Sequence, residues 1–241
     1  MKKLLQSALQ RLLGFPRYLF VFSLFKIWTL RWDRREGDFH HFLAQLSPDA
    51  RVLDIGANIG IMTALLAKRC PQGMVHAIEP IPDNYAALQR IVKYFKFTNV
   101  QLHRFALGAE KGELKMVMPE VQNVRMQGLS HAVHETITEY NEGQFYTVPQ
   151  HRLDDLGAVT EAVSAIKIDV ENFEYFVFAG GKEMLKRDRP LVYCELWANE
   201  NRDKCFHLLR DELGYAIKVL QDGSLTDFDP KIHPQQNFFF V

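Results

Sequence analysis

Two groups of side chains carry the chemistry open to this 241-residue sequence. The first runs through "VLDIGANIG". Asp54 ends an apolar stretch, and Gly56, Ala57, Asn58 and Gly60 follow it. Glycines at this spacing let a backbone approach a ligand closely and take up positive φ. An acid directly before such a loop would repel a diphosphate; it suits a ligand with an ammonium or other polar donors. Glu79 stands 25 residues further on, with Pro80 after it. That is the usual offset for an acid accepting hydrogen bonds from both hydroxyls of a ribose. An amino-acid tail near the first strand and a ribose near the second describe S-adenosyl-L-methionine. Asn58 would then meet the cofactor's carboxylate through its amide, and Ala106 and Leu107 would line the adenine pocket.

The second group is Asp169, Glu171 and Glu195. A methyl on a sulfonium is already activated by its cofactor, so the protein has to align the acceptor. A hydroxyl acceptor must also lose a proton, which a nearby base assists. Asp169 is the first choice for the base or acceptor-orienting group, with Glu171 and Glu195 as helpers. Two plainer roles compete: Asp169 as a prop for the glycine loop, Glu195 as a capping or ion-pairing acid. Clustered carboxylates also hold Mg²⁺, but no histidine or further acid fixes that geometry, and no metal is assigned. His131 and His134 lie in a polar stretch, where solvated surface is the plainer role and a mobile base the sharper one. Lys167 sits in a buried run and calls for an acidic partner. Trp32 and Trp197 could stack on a sugar, but core packing is the plainer role for both.

These residues need strand ends to sit on. "RVLDI" (51–55) reads as a buried strand and 60–70 as a helix; "MVHAIE" (74–79) is a second strand, followed by a helix from near Asp83 with Tyr85, Leu88 and Val92 on one face. "VQLHRFAL" (100–107) reads as a third strand. The alternation then pauses: 108–160 reads as an insertion containing the strand "LKMVM", a polar loop from Pro119 to Gly143 and the extended piece "QFYTVPQHRL". It resumes with "AIKIDV" (165–170), a helix from about Phe173 to Leu185, "LVYCELW" (191–197) and a helix near 200–213. "AIKVL" (216–220) and "NFFFV" (237–241) suggest a terminal hairpin. Alternating strands and helices predict an α/β fold, a doubly wound and mostly parallel sheet of seven strands with an antiparallel C-terminal strand. Ligands sit beyond the carboxyl ends of such strands, where the strand order reverses.

Residues 1–47 read as a helical arm and 48–241 as one domain, a length and 47% hydrophobic content that support a single core. Net charge is zero, so nothing global points to nucleic acid. Residues 1–35, however, hold eight Lys/Arg and one acid, Asp33, a net of +7 that the remaining chain balances. In "MKKLLQSALQRLL", Leu4, Leu5, Ala8, Leu9, Leu12 and Leu13 share a helical face opposite Lys2, Lys3, Gln10 and Arg11; Gly14 and Pro16 then interrupt it. The uncharged run 18–25 is far short of the roughly 20 residues that a helix needs to cross a bilayer. Two readings of the arm stay open: packing on the domain or on a second copy of the chain, and an interfacial helix on an anionic membrane. Next to it, Asp38 reads as the cap of a helix with Phe39, Phe42, Leu43 and Leu46 inward. Cys70, Cys194 and Cys205 match no zinc or disulfide pattern and read as buried thiols in a reducing, cytoplasmic setting.

The ordered set "VLDIGANIG", "AIEPIPDNYAAL", "FALG", "RLDDL", "IKIDVENFE" and "YCELW" resembles the FkbM-type family of S-adenosylmethionine-dependent methyltransferases, over roughly residues 50–200. The resemblance implies the class I methyltransferase fold and methyl transfer, most often to an oxygen of a sugar, lipid-linked glycan or natural product. The family usually has glycine after "DVE"; this chain has Asn172, which tolerates left-handed φ better than most residues. Two rival readings are a nicotinamide-dependent oxidoreductase, which lacks its third glycine here, and a non-catalytic, membrane-associated binding protein that kept the fold, against which the intact acids and glycines argue.

Overall fold

The fold is described from a computed structural model, over residues 2–122, 124–135, 137, 140–156 and 161–241. Helices α1 (Lys2–Leu13) and α2 (Phe15–Thr29) form the arm, parted at Gly14, whose φ of 71° no helix accommodates, with Pro16 in the first turn of α2. Tyr18, Leu19, Ser23 and Ile27 form the buried side of α2. α3 (Gly37–Gln45) buries Phe39 and Phe42, with Leu46 buried just beyond its end. Glu36 takes its N-cap position, and Asp38, the expected cap, falls in the first turn.

Strand β1 (Arg51–Ile55) has Val52, Leu53, Asp54 and Ile55 all buried, as a central strand covered on both faces requires. β2 (Met74–Ile78) and β3 (Val100–His103) lie parallel beside it in turn. The chain then leaves the main sheet. The expected strand 100–107 splits, and its end becomes β4 (Ala106–Leu107) of a second sheet. β5 (Gly112–Val121), β6 (Val124–Arg125), β7 (His131–Ala132) and β8 (Gly143–His151) complete that sheet, with β5 and β8 paired antiparallel from Gly112–Gln150 to Pro119–Gly143. The insertion is therefore built on the long pair β5 and β8, while the stretch from Pro119 to Gly143 between them adds, among the residues described, only the two-residue strands β6 and β7; residues 123, 136, 138, 139 and 157–160 lie outside the described residues.

β9 (Ala165–Ile168) returns to the main sheet on the other side of β1, followed by β10 (Leu191–Glu195), β11 (Ile217–Gln221), β12 (Ser224–Asp227) and β13 (Asn237–Phe240). The sheet has eight strands in the order β12-β11-β13-β10-β9-β1-β2-β3. Seven follow the expected doubly wound pattern, with β13 antiparallel to β10 and β11. The eighth, β12, is an edge strand from the turn-rich stretch after Gln221.

Helices cover both faces. Phe39 and Phe42 of α3 and Leu66 and Ala67 of α4 (Ile61–Arg69) pack with Val52, Val75 and Tyr193 on one face. α5 (Pro82–Phe95) adds Leu88 against Ala57 and Ala77. Its buried side is Asn84, Ala87, Leu88 and Ile91, not the Tyr85–Leu88–Val92 stripe read from the sequence. On the other face, Val177, Phe178 and Leu185 meet Leu53, Ile55, Ile166 and Ile168. They come from α6 (Glu174–Ala179) and α7 (Lys182–Asp188), two helices where the sequence suggested one; Gly180 and Gly181 separate them, and Gly180 packs against the backbone of Gly108 too closely for any side chain. α8 (Glu200–Phe206), capped by Asn199 Oδ1, runs on into a π-helical turn, His207–Glu212. Cys70, Cys194 and Cys205 are free and buried.

Candidate active site

Strand order reverses at β1, whose neighbours are β2 on one side and β9 on the other. The loops leaving β1 and β9 meet there. A Cβ on Gly56 would overlap the carbonyl oxygen of Asp169, so only glycine fits, and its φ of 77° suits no other residue well. Gly60 (φ 82°) turns the chain into α4, and a Cβ on it would stand 2.8 Å from Leu88 Cδ1. Asn58, between them, is left-handed at φ 50°.

Glu79, at the end of β2, binds this loop. Asn58 N donates to its Oε2 and Ile81 N to its Oε1, both at 2.9 Å, and Asn84 Nδ2 donates to Oε1 at 3.4 Å. Burial pushes the Glu79 carboxyl up to about 7, against the pull of the Ile81 and Asn58 amides. Around it, three buried amide oxygens have no hydrogen-bond partner: Asn58 Oδ1, Asn84 Oδ1 and Gln127 Oε1. A buried acceptor left unsatisfied costs about 1–3 kcal/mol. Such a concentration of acceptors suits a ligand that brings donors, as a ribose and an ammonium do. The residues therefore fit the polar half of S-adenosyl-L-methionine.

Asp54 is placed differently from the sequence reading. It is fully buried, accepts a hydrogen bond from Thr63 Oγ1 at 2.6 Å, and has Lys167 Nζ 3.4 Å from its Oδ1. The β1–β9 register sets Asp54 directly opposite Lys167. Lys167 Nζ also donates to the Gly56 carbonyl at 3.1 Å. Asp54 thus faces Thr63 and Lys167, and it acts on the glycine loop through Lys167. The ion pair expected of Lys167 is present.

Three adjoining hollows share Gly56. One, of about 420 Å³, is bounded by Asn58, Glu79, Pro80, Gln127, Asp169 and Glu171. A second, of about 680 Å³, is bounded by Lys26 and Glu36 of the arm with Ala57, Met62, Lys167 and Asp169. The third, about 310 Å³, is an apolar slot among Ile78, Phe105, Ala106, Leu107, Met116 and Phe173. A flat heteroaromatic ring fits such a slot, and Ala106 and Leu107 stand at it.

Asp169 borders two of these hollows and Glu171 one; Glu195 borders none of them. Burial, then the nearby charges of Asp169 and Glu195, push the Glu171 carboxyl up to about 9. Burial and Asp169 push Glu195 up to about 7. Glu174, buried, accepts a hydrogen bond from Val170 N at 2.9 Å and is pushed up to about 8, chiefly by burial. Like charges this close in a poorly solvated site hold protons between them. Among the described residues no group of three or more His, Cys, Asp or Glu is arranged to hold a metal. Glu171 (φ 54°) and Asn172 (φ 73°) are both left-handed. Asn172 is fixed there because its Oδ1 accepts from Asn199 Nδ2 at 2.8 Å and its carbonyl from Asn201 Nδ2 at 3.0 Å.

A methyltransferase FkbM domain matches residues 54–227, well over half of the chain. The chain belongs to the FkbM methyltransferase family. Methyltransferase 1 of Beauveria bassiana (strain ARSEF 2860) is 29% identical over 154 residues, 57% of this chain and 61% of that protein. The crystal structure of methyltransferase FkbM from Methylobacillus flagellatus KT matches with a TM-score of 0.55 at 16% identity, covering 82% of this chain and 44% of that one. The chain thus spans less than two thirds of the length of either. Aeropyrum pernix fibrillarin, solved with natively bound S-adenosyl-L-methionine, matches with a TM-score of 0.48 at 15% identity, over 81% of this chain and 69% of that one. The fold is that of class I methyltransferases, and the family displaces the oxidoreductase reading.

On this FkbM-family frame, several residues at the hollows escaped the sequence reading. Lys26 and Glu36 come from the arm, Met116 from β5, Gln127 and Ser130 from the turn between β6 and β7, and Asn84 from α5. Asn84 had a signal: a polar residue on the inward side of an amphipathic helix. His131 is neither solvated nor at the hollows; it is buried, with Nδ1 2.8 Å from the Leu129 carbonyl and Nε2 3.1 Å from Asn141 Oδ1, and it joins β7 to the loops on either side. His134 packs its ring 4.6 Å from that of Phe176. Trp32, expected in the core, is 65% exposed, and Trp197 is half-buried.

Proposed function

We propose that this FkbM-family chain transfers a methyl group from S-adenosyl-L-methionine to a hydroxyl oxygen of a small molecule or glycan, such as a sugar, glycolipid or natural product. The observation that carries the cofactor reading is the ring of acceptors, Glu79 with the unpartnered oxygens of Asn58, Asn84 and Gln127, beside an apolar slot ending at Ala106 and Leu107. When bound, the cofactor supplies a methyl already activated by positive sulfur.

The chain's own residues do the rest. Glu79 and the amide oxygens receive ribose and ammonium donors. The apolar slot takes the adenine ring and keeps water from it. Asp169, bordering both polar hollows, orients the acceptor hydroxyl and draws on its proton. Glu171, held protonated by burial and by its acidic neighbours, donates a hydrogen bond into the same space. Lys167 keeps the acids at the strand ends from repelling each other outright.

Calorimetry with S-adenosylhomocysteine tests the cofactor site: the folded chain binds it, and Glu79→Ala weakens binding by roughly tenfold or more, the loss of hydrogen bonds to a charged group. A well-folded chain with no detectable binding leaves the non-catalytic reading in its place. Incubating cell extracts with the chain and methyl-labelled cofactor, then finding the labelled product by mass spectrometry, identifies the acceptor atom. Label on nitrogen or carbon contradicts the oxygen reading.

A further inference from the structure

We propose that the outer face of the arm is a docking surface for an anionic lipid bilayer. Val21, Phe25, Trp28 and Trp32 follow one another at helical spacing along α2 and the turn after it, and all are between 51% and 65% exposed. They form a single stripe, while Tyr18, Leu19, Ser23 and Ile27 bury the other side of the same helix. Soluble surfaces scatter large apolar side chains singly; a contiguous row of them marks an interaction site.

A second observation is independent of the first. α1 docks on the domain by a polar side chain: Gln10 Nε2 donates to the Arg125 carbonyl at 3.1 Å, and Arg125 N donates to Gln10 Oε1 at 3.3 Å. Its Ala8, Leu9 and Leu12 are exposed instead, Leu12 at 81%. Among the four apolar residues whose side chains are described, Leu13 turns inward to a cluster with Phe15 and Tyr18; the side chains of Leu4 and Leu5 lie outside the described residues. An amphipathic helix that shows its apolar face to solvent is incomplete without a partner.

Charge decides which partner. Residues 1–35 carry eight bases against one acid, and that acid, Asp33, is held by Lys26 and Arg35. Arg17 falls in line with the apolar stripe one turn before Val21, and the Arg31 guanidinium lies 3.9 Å over the Trp32 ring. Arg11, Arg17, Arg31 and Arg35 are exposed, as are Arg90, Lys93 and Tyr94 on α5, against which α2 packs. Aromatic and aliphatic side chains framed by arginines match the headgroup boundary of an acidic membrane, where the rings enter the interface and the bases meet lipid phosphates. No described helix is long and apolar enough to cross a membrane, so the contact is with one leaflet.

The test uses the full chain and vesicles of phosphatidylcholine with and without phosphatidylglycerol. Wild type cosediments with the acidic vesicles, weakens with added salt, and shows a blue shift of tryptophan emission. Phe25→Ser with Trp28→Ser lowers the vesicle-bound fraction roughly tenfold or more, as does Arg17→Gln with Arg31→Gln, while binding of S-adenosylhomocysteine serves as the check that each variant is folded. The proposal is overturned by folded wild type that ignores acidic vesicles, by Phe25/Trp28 variants that bind them as well as wild type, or by light scattering that shows a dimer lost in those variants with no vesicle binding, which would assign the stripe to a second copy of the chain.

Discussion

Lys167 Nζ lies 3.4 Å from Asp54 Oδ1 in a place where neither side chain meets solvent to any extent: Asp54 is fully buried and Lys167 is 4% exposed. The pair is made by strand register, and through the Lys167 bond to the Gly56 carbonyl it fixes the loop that bounds every hollow of the site.

Removing one member of such a pair strands the other charge. Lys167→Met is expected to destabilise the fold by about 3–5 kcal/mol, because Asp54 keeps a buried carboxylate with only Thr63 to meet it. Adding Asp54→Asn to Lys167→Met should recover much of that loss. Urea unfolding of the two single variants and the double variant measures the coupling; costs that simply add would show that the pair is not a unit.

Stability is expected to fall as pH rises. The carboxyls of Glu79 and Glu195 are raised to about 7, that of Glu174 to about 8 and that of Glu171 to about 9, each first of all by burial, from an ordinary value of 4.5. The folded chain therefore keeps protons that the unfolded chain gives up. Their contribution is complete below pH 4.5 and is lost progressively as pH climbs to about 9. Each such proton is worth about 1.4 kcal/mol per pH unit. Thermal midpoints should drop from mildly acidic to alkaline buffer, and Glu174→Gln, which removes one of these carboxyls without changing its shape, should flatten the slope. A midpoint that is constant or rises over that range contradicts the assignment.

Much of this was legible in the residues, for definite physical reasons. A parallel strand covered on both faces is mostly apolar, so "RVLDI" and "AIKIDV" stand out, and the glycine at 56 is demanded by a backbone contact with Asp169 that no other residue survives. What a linear reading lacked was register. Asp54 ends a strand, and its partner, Lys167, is set opposite it by pairing between strands 113 residues apart in sequence. The second sheet was obscured for a related reason: β6 and β7 are two residues each, too short to show alternation, and their pairing is supplied by β5. Trp32 was misplaced because a tryptophan's size favours the core, and nothing local reveals that α2 has its buried side elsewhere.

Glu171 gives the sharpest handle on the cofactor. Its carboxyl, raised to about 9 by burial and by the charges of Asp169 and Glu195, borders the same hollow as Glu79. S-adenosyl-L-methionine and S-adenosylhomocysteine differ in one methyl and one positive charge. A positive charge entering this hollow favours ionised carboxyls. Binding of the methyl donor at mildly alkaline pH should therefore release more protons than binding of the homocysteine product, and Glu171→Gln should shrink the difference. Calorimetry at one pH in buffers of unlike ionisation enthalpy counts those protons directly. Equal release for the two ligands would place the sulfur away from Glu171.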